Sequence, residues 1–204
     1  MARAVVAGLH SIDAGPVHLV GISFGGMVAQ TMAVARPDLI RSLTLVATSC
    51  TFPDPVRDMV RERGRVARTE GMAAIAPLHV QRWFPEAFRT RRPDVLDRAV
   101  KLMLRQDPEL HASLWDTVAA LDLERRLSSL SCPTMVVAGG EDMSATAAAV
   151  QLIVDQIAGA TPQDSPHFQT APNISAKSGC PASMRPNCLT SGRNRIFGML
   201  GASS

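Results

Sequence analysis

Val17-His18-Leu19-Val20-Gly21-Ile22-Ser23-Phe24-Gly25-Gly26-Met27 is the stretch on which the fold turns. Val17 to Ile22 is a nearly continuous apolar run that follows the turn signal Gly15-Pro16. Such a run suits a parallel strand buried on both faces. From Met27 to Ala35 small and apolar residues fit a helix packed tightly on a sheet, and Pro37 ends it. Between the two, Gly21 and Gly25 bracket Ser23 in G-x-S-x-G spacing, and Gly26 adds room. A serine hydroxyl is a poor nucleophile unless it is exposed, oriented and deprotonated by a neighbour; a tight strand-to-helix turn supplies the first two. The N–H of Phe24, in the first turn of the helix, would point at a developing oxyanion with the helix dipole behind it. A glycine-rich phosphate-binding turn is the bland alternative. The stretch has neither the Lys of a P-loop nor G-x-G-x-x-G spacing.

Outward from this turn the pattern continues. Ala2 to Ile12 reads as a short helix with Val5, Val6, Leu9 and Ile12 on one stripe, and Ser42 to Ala47 as a second buried strand. Residues 52–130 change character: charged residues alternate with Val, Met, Leu and Ala at helical spacing, which predicts a helical insertion. Cys132 to Ala138 restores the strand pattern, and Gly139-Gly140-Glu141-Asp142 turns into a helix from about Ala145 to Ile157. The expected class is α/β, a mostly parallel sheet flanked by helices, with core segments 1–51 and 131–160 around a helical cap at 52–130. Residues 161–204 are rich in Ser, Pro, Asn and Gly, and no strand or helix is expected there.

The chain has 204 residues, 46% of them hydrophobic, enough for one buried core with an inserted lobe. Its formal charge is +3, and Lys177, Arg185, Arg193 and Arg195 against Asp164 in the tail account for all of it. The other cations are scattered, which argues against nucleic-acid binding, since phosphate contact needs a clustered basic face. Cys50, Cys132, Cys180 and Cys188 form neither a CxxC pair nor a metal-ligand spacing, so no metal or cofactor is expected and a reducing cytoplasm is the expected location. Met1 to Leu9 is apolar but reaches His10 and Asp13 too soon for a signal peptide or a membrane span.

Asp142 follows the third strand, where a carboxylate can orient an imidazole; the alternatives are that it caps the next helix or that Glu141 takes its place. In the chain order that accompanies this turn the base follows the acid, which leaves only His167, 25 residues after Asp142, in a Ser/Pro-rich stretch where a lone His is often a bystander.

Val17 to Gln30, Arg36-Pro37 and Leu43 to Ala47 resemble the α/β-hydrolase superfamily closely. Gly71-Met72, Arg82-Trp83-Phe84, Asp122-Leu123 and Cys132-Pro133-Thr134 leading to Gly139 and Asp142 resemble the 3-oxoadipate enol-lactonases within it, over roughly residues 1–160. The resemblance implies a partial α/β-hydrolase fold acting without a cofactor on a small ester or lactone. Ser23 would be the nucleophile, Asp142 the acid, His167 the remaining candidate for the base and Phe24 an oxyanion donor. Trp83 and Trp115 would form a cap wall over substrate, and Arg82 would meet a substrate carboxylate. Core packing of the two tryptophans and a solvated Arg82 are the plain alternatives. Carboxylesterase, thioesterase and cofactor-free haloperoxidase are competing activities, and a non-catalytic interaction fragment is a further reading.

Two departures qualify the resemblance. Superfamily members have several strands and a His-Gly oxyanion loop before the elbow, whereas Ser23 comes near the start here. An open sheet edge is therefore expected, inviting self-association. Second, the codons of Pro172, Asn173 and Ile174, read two bases later, contain YAU, which encodes only His or Tyr. That frame permits Ala-Gln-His-Leu, and through Met184 Ser-Gln-Ile-Gly-Leu-Pro-Arg-Phe-Asp-Ala-Ala, which resembles the segment carrying the family's catalytic His. The expectation is an N-terminally truncated, frameshifted chain with little or no activity; sequencing the coding DNA tests it.

Overall fold

The computed structural model describes residues 1–139, 142, 144–163 and 196–199. The chain divides into two compact units: Met1–Cys50 with the described residues from Leu123 onward, and Thr51–Asp122.

In the first unit, helix α1 (Ala2–Ser11) precedes strand β1 (Val17–Ile22), helix α2 (Phe24–Ala35) and strand β2 (Ile40–Val46). After the intervening helical unit come β3 (Thr134–Val137), α8 (Ala147–Gln156), β4 (Thr161–Gln163) and β5 (Ile196–Met199). The five strands are all parallel and run in the order β4-β3-β2-β1-β5. Leu19, Leu43, Leu45 and Val136 from the central strands are buried, as the apolar runs require of a parallel sheet covered on both faces. On α2, Ala29, Met32 and Ala33 share one face at helical spacing and are fully buried. Ala29 and Ala33 are small enough to let α2 lie close on the sheet, and Met32 fills the space between.

Two strands correct the reading of residues 161–204 as irregular. Thr161–Gln163 pairs with β3, and Ile196–Met199 pairs with β1, His18 to Gly21 lying opposite Ile196 to Met199. The open edge expected at β1 is therefore covered by β5. The physical reason is the ladder itself: β1 presents N–H and C=O groups on both sides, and a partner only four residues long satisfies them. A run that short, set among Ser, Asn and Gly, carries no periodicity to detect.

The second unit contains α3 (Asp54–Glu70), α4 (Met72–Trp83), α5 (Glu86–Arg91), α6 (Pro93–Leu104) and α7 (Pro108–Ala119). Each of α3, α6 and α7 starts with Pro in its first turn, where the missing N–H costs nothing. Asp107 caps α7 by accepting the Leu110 N–H at 2.8 Å. Ala67, Met72, Ile75, Ala76, Met103 and Ala112 form the core. Gly64 lets α3 and α7 approach: a Cβ there would lie 3.3 Å from the Ala112 carbonyl oxygen. Arg57 ties the ends of this unit together, donating to the carbonyls of Phe52 and Ala119 and to Thr51 Oγ1. Among the described residues no helix is long and apolar enough to cross a membrane.

Candidate active site

Ser23 lies at the carboxyl end of β1 and is exposed, with φ 50° and ψ −119°. A side chain at positive φ costs on the order of 1–3 kcal/mol and persists only where the surroundings over-determine the backbone. They do so here. The Ser23 N–H donates to the Val46 carbonyl at 2.9 Å, and its own carbonyl accepts from the Gly26 N–H at 2.9 Å, the Met27 N–H at 3.2 Å and Thr48 Oγ1 at 2.8 Å. The turn is thus held from β2, from α2 and by a buried hydroxyl.

The glycines are steric requirements. A Cβ on Gly21 would sit 2.5 Å from the Gly25 carbonyl oxygen and 2.7 Å from Gly26 Cα, so the first turn of α2 rests on bare β1 backbone. A Cβ on Gly26 would lie 2.7 Å from Thr48. Thr48 is the supporting residue that sequence reasoning missed; nothing in Ala47-Thr48-Ser49 marks it. Thr48→Val, which keeps the shape and removes the donor, is expected to cost about 1–2 kcal/mol in thermal or urea unfolding, with Thr48→Ser largely retaining stability. Ala47, with φ 47°, is also a non-glycine at positive φ, tied to β3 by its N–H to the Val137 carbonyl at 2.9 Å.

Phe24 begins α2, where N–H groups have no acceptor earlier in the helix. Asp142 is half-buried in the turn after β3. Its Oδ1 accepts the N–H groups of Ser144 at 2.7 Å and Ala145 at 2.9 Å. Thr146, not Asp142, is the cap of α8, accepting the Ala149 N–H at 3.4 Å. Asp142 therefore orders the turn ahead of the helix. Because all strands are parallel and β2 lies between β1 and β3, Ser23 and Asp142 both follow carboxyl ends along the same edge of the sheet. Glu141 and His167 lie outside the described residues.

The remaining candidates belong to the helical unit. Trp83 is 47% exposed at the end of α4, with Arg82 half-buried beside it. Trp115 is half-buried on α7, and its indole N–H donates to His111 Nε2 at 2.7 Å. An indole nitrogen only donates, so His111 Nε2 is the acceptor and Nδ1–H donates to Gln106 Oε1 at 2.9 Å. His79, buried on α4, stacks at 5.3 Å from Trp115 and lies 4.7 Å from Trp83. Both imidazoles precede Asp142 in the chain, so the order nucleophile, acid, base gives neither a role. Helical spacing gave no sign that they meet. Elsewhere, His18 Nδ1 bonds Ser42 Oγ at 2.6 Å, joining β1 to β2.

A parallel sheet with a serine on a strained strand-to-helix turn and an aspartate two strands away defines a class, and the chain belongs to the alpha/beta hydrolase family, whose model matches residues 1–173. It is similar to 3-oxoadipate enol-lactonase 2 of Acinetobacter baylyi, 25% identical over 157 residues that cover 77% of this chain and 58% of that protein. The crystal structure of a hydrolase from Pseudomonas aeruginosa is 28% identical with a TM-score of 0.75, over 81% of this chain and 62% of that one. That of the enol-lactonase from Burkholderia xenovorans is also 28% identical, with a TM-score of 0.74, over 81% of this chain and 64% of that one. The chain thus spans less than two thirds of the length of these relatives.

Proposed function

We propose that this chain carries the nucleophile and acid of a cofactor-independent serine hydrolase of small esters or lactones, an enol-lactone opened by water being the substrate class its relatives favour. The observation that carries this reading is the exposed Ser23 held at positive φ by bonds to Val46, Gly26, Met27 and Thr48. Ser23 Oγ attacks the lactone carbonyl and passes its proton to an imidazole. The Phe24 N–H receives the oxyanion, and the imidazolium returns the proton to the departing ring oxygen. Water, deprotonated by the same imidazole, then cleaves the acyl-serine. Asp142 holds the imidazolium: with Oδ1 fixed by two N–H groups, its other oxygen serves the ring. Strands β1 and β3 are about 10 Å apart laterally, a gap that serine, imidazole and carboxylate together span.

His167 is the candidate base in the translated sequence. The family match stops at residue 173, beside the codons from which the displaced frame continues the family pattern. That coincidence supports a family histidine encoded across Asn173 and Ile174 but not translated. Loss of the base lowers turnover by roughly four orders of magnitude or more while binding and oxyanion contacts persist.

The reactive-serine test is labelling of the folded protein with a fluorophosphonate. Slow modification at Ser23, absent in Ser23→Ala, is expected; a folded sample that does not react favours the reading as a non-catalytic fragment. The same Ser23 chemistry would serve a carboxylesterase, thioesterase or haloperoxidase relative, and a panel of ester, thioester and lactone substrates separates these. The cysteine pattern supports a cytoplasmic location. Self-association through a sheet edge would use β4 or β5, the outer strands among the described residues.

A further inference from the structure

Helix α2 buries glycine, alanine, valine and methionine, and among them Gln30, which is 0% exposed. Its Nε2 donates to two carbonyls, those of Gly26 and Ser49, at 3.1 Å each. Two carbonyl acceptors on one atom need both amide hydrogens, which fixes the nitrogen end of the side chain. The other end gains nothing: Oε1 is buried with no hydrogen-bond partner among the described residues. An oxygen stripped of water in this way destabilises a fold by about as much as the donated bonds return. Packing alone would favour an apolar residue of the same length here, so Gln30 contributes something other than stability.

What it contributes is a fastening. Ser49 directly follows Thr48 and is buried, and its carbonyl is tied to α2 through Gln30. On the other side of Thr48, Ala47 stands at positive φ and donates to the Val137 carbonyl. Thr48 is thus held from both sides, toward β3 before it and toward α2 after it. Its hydroxyl donates to the Ser23 carbonyl at 2.8 Å, and its side chain fills the space that a Cβ on Gly26 would take. Gly26, the second acceptor, sends its own N–H to the same Ser23 carbonyl at 2.9 Å. The two bonds of one buried amide therefore end on Gly26 and beside Thr48, the residues that hold the serine turn.

We propose that Gln30 is a positioning residue for the nucleophile, its amide keeping Thr48 and Gly26 where they fix the backbone of Ser23. Its bearing on the reaction rests on the reading of Ser23 as the nucleophile; its bearing on the turn does not.

Gln30→Met keeps the length of the side chain and removes both donors together with the unpartnered oxygen. Its thermal midpoint is expected to stay within about 3 °C of the parent's. Amide hydrogen exchange at Gly26 and Met27 should nevertheless speed up about tenfold or more, and fluorophosphonate labelling of Ser23 should slow by about the same factor. A side chain that only filled the core would move midpoint and turn together. Thr48→Val gives a second measurement. Since Gln30 acts largely through Thr48, adding Gln30→Met to Thr48→Val should slow labelling by less than about threefold more, whereas independent effects multiply. Should Gln30→Met fail to fold, Gln30→Glu has the same shape and, kept protonated by burial, one donor, so changes of about threefold are expected. If the parent does not label at Ser23, the hydrolase reading fails and the exchange rates decide the fastening by themselves. Unchanged exchange at Gly26 and Met27 in the variant that folds, multiplied slowing in the double variant, or midpoints lowered by about 10 °C or more in both Gln30 variants would overturn the proposal.

Discussion

Gly21→Ala is expected to destabilise the sheet unit by about 3 kcal/mol or more, enough to lower the unfolding midpoint of a chain this size by about 10 °C. The added methyl would lie 2.5 Å from the Gly25 carbonyl oxygen, 2.7 Å from Gly26 Cα and 2.8 Å from the Gly25 carbonyl carbon. All three atoms are backbone, so no rotamer change relieves the contact. Relief requires α2 to lift from β1. That motion would break the short bonds from Gly26 and Met27 to the Ser23 carbonyl and release the strained turn. Fluorophosphonate labelling of Ser23 should therefore fall with stability in this variant. Gly8→Ala is the control. Nothing lies within 4 Å of the new Cβ there, and replacing glycine inside a helix should stabilise by about 0.5–1 kcal/mol. Thermal unfolding of the two variants side by side checks the argument, and equal midpoints would refute it.

The second large effect is acid sensitivity of the helical unit. Burial first, then repulsion from His111 once that ring takes up a proton and from the charges of Arg63 and Arg82, holds the His79 pKa down to about 4 from 6.5. The groups facing it come from three helices: Arg63 on α3, Arg82 and Trp83 on α4, His111 and Trp115 on α7. Burial lowers the His111 pKa as well. A histidine whose folded pKa is depressed binds fewer protons folded than unfolded, so its contribution is fully present above the unfolded value and declines on acidification. The loss should run between about pH 6.5 and about pH 4 and amount to about 2–3 kcal/mol for His79. Urea unfolding followed by tryptophan emission at pH 7.5, 6 and 5 reads it. In His79→Gln the pH slope should flatten, whatever the absolute stability of the variant. A midpoint in the parent that holds constant from pH 7.5 to 5 would contradict this assignment.

The two variants show how differently the two units are written in the sequence. The Val17–Ile22 run, the spacing of Gly21, Ser23 and Gly25, and the strand pattern of Ser42 to Ala47 are local. A short continuous apolar run between turn signals or a fixed glycine offset reflects the backbone that the residues themselves adopt, so β1, α2 and β2 were legible. The place of Asp142 just after β3 was legible for the same reason. Its alternative role was settled only by coordinates, because Thr146 and Asp142 are both competent caps and the choice depends on where α8 begins.

Covering of β1 by Ile196–Met199 was not legible, since a four-residue strand exists through a partner far off in the chain. Thr48 was equally silent: a threonine after a strand is unremarkable until its hydroxyl meets the Ser23 carbonyl. The meeting of His79, His111, Trp115 and Arg63 depends on α3, α4 and α7 packing at a particular rotation, set by Gly64 and the small core residues around it.

By itself, then, the sequence determined the strand-turn-helix that presents Ser23, the parallel α/β class, and the carboxylate that follows β3. Tertiary structure alone decided what supports that serine, what closes the sheet beside it, and which charges gather around the tryptophans. The reason is physical: backbone conformation is dictated by neighbours in sequence, whereas burial, hydrogen-bond satisfaction and proton affinity are dictated by neighbours in space.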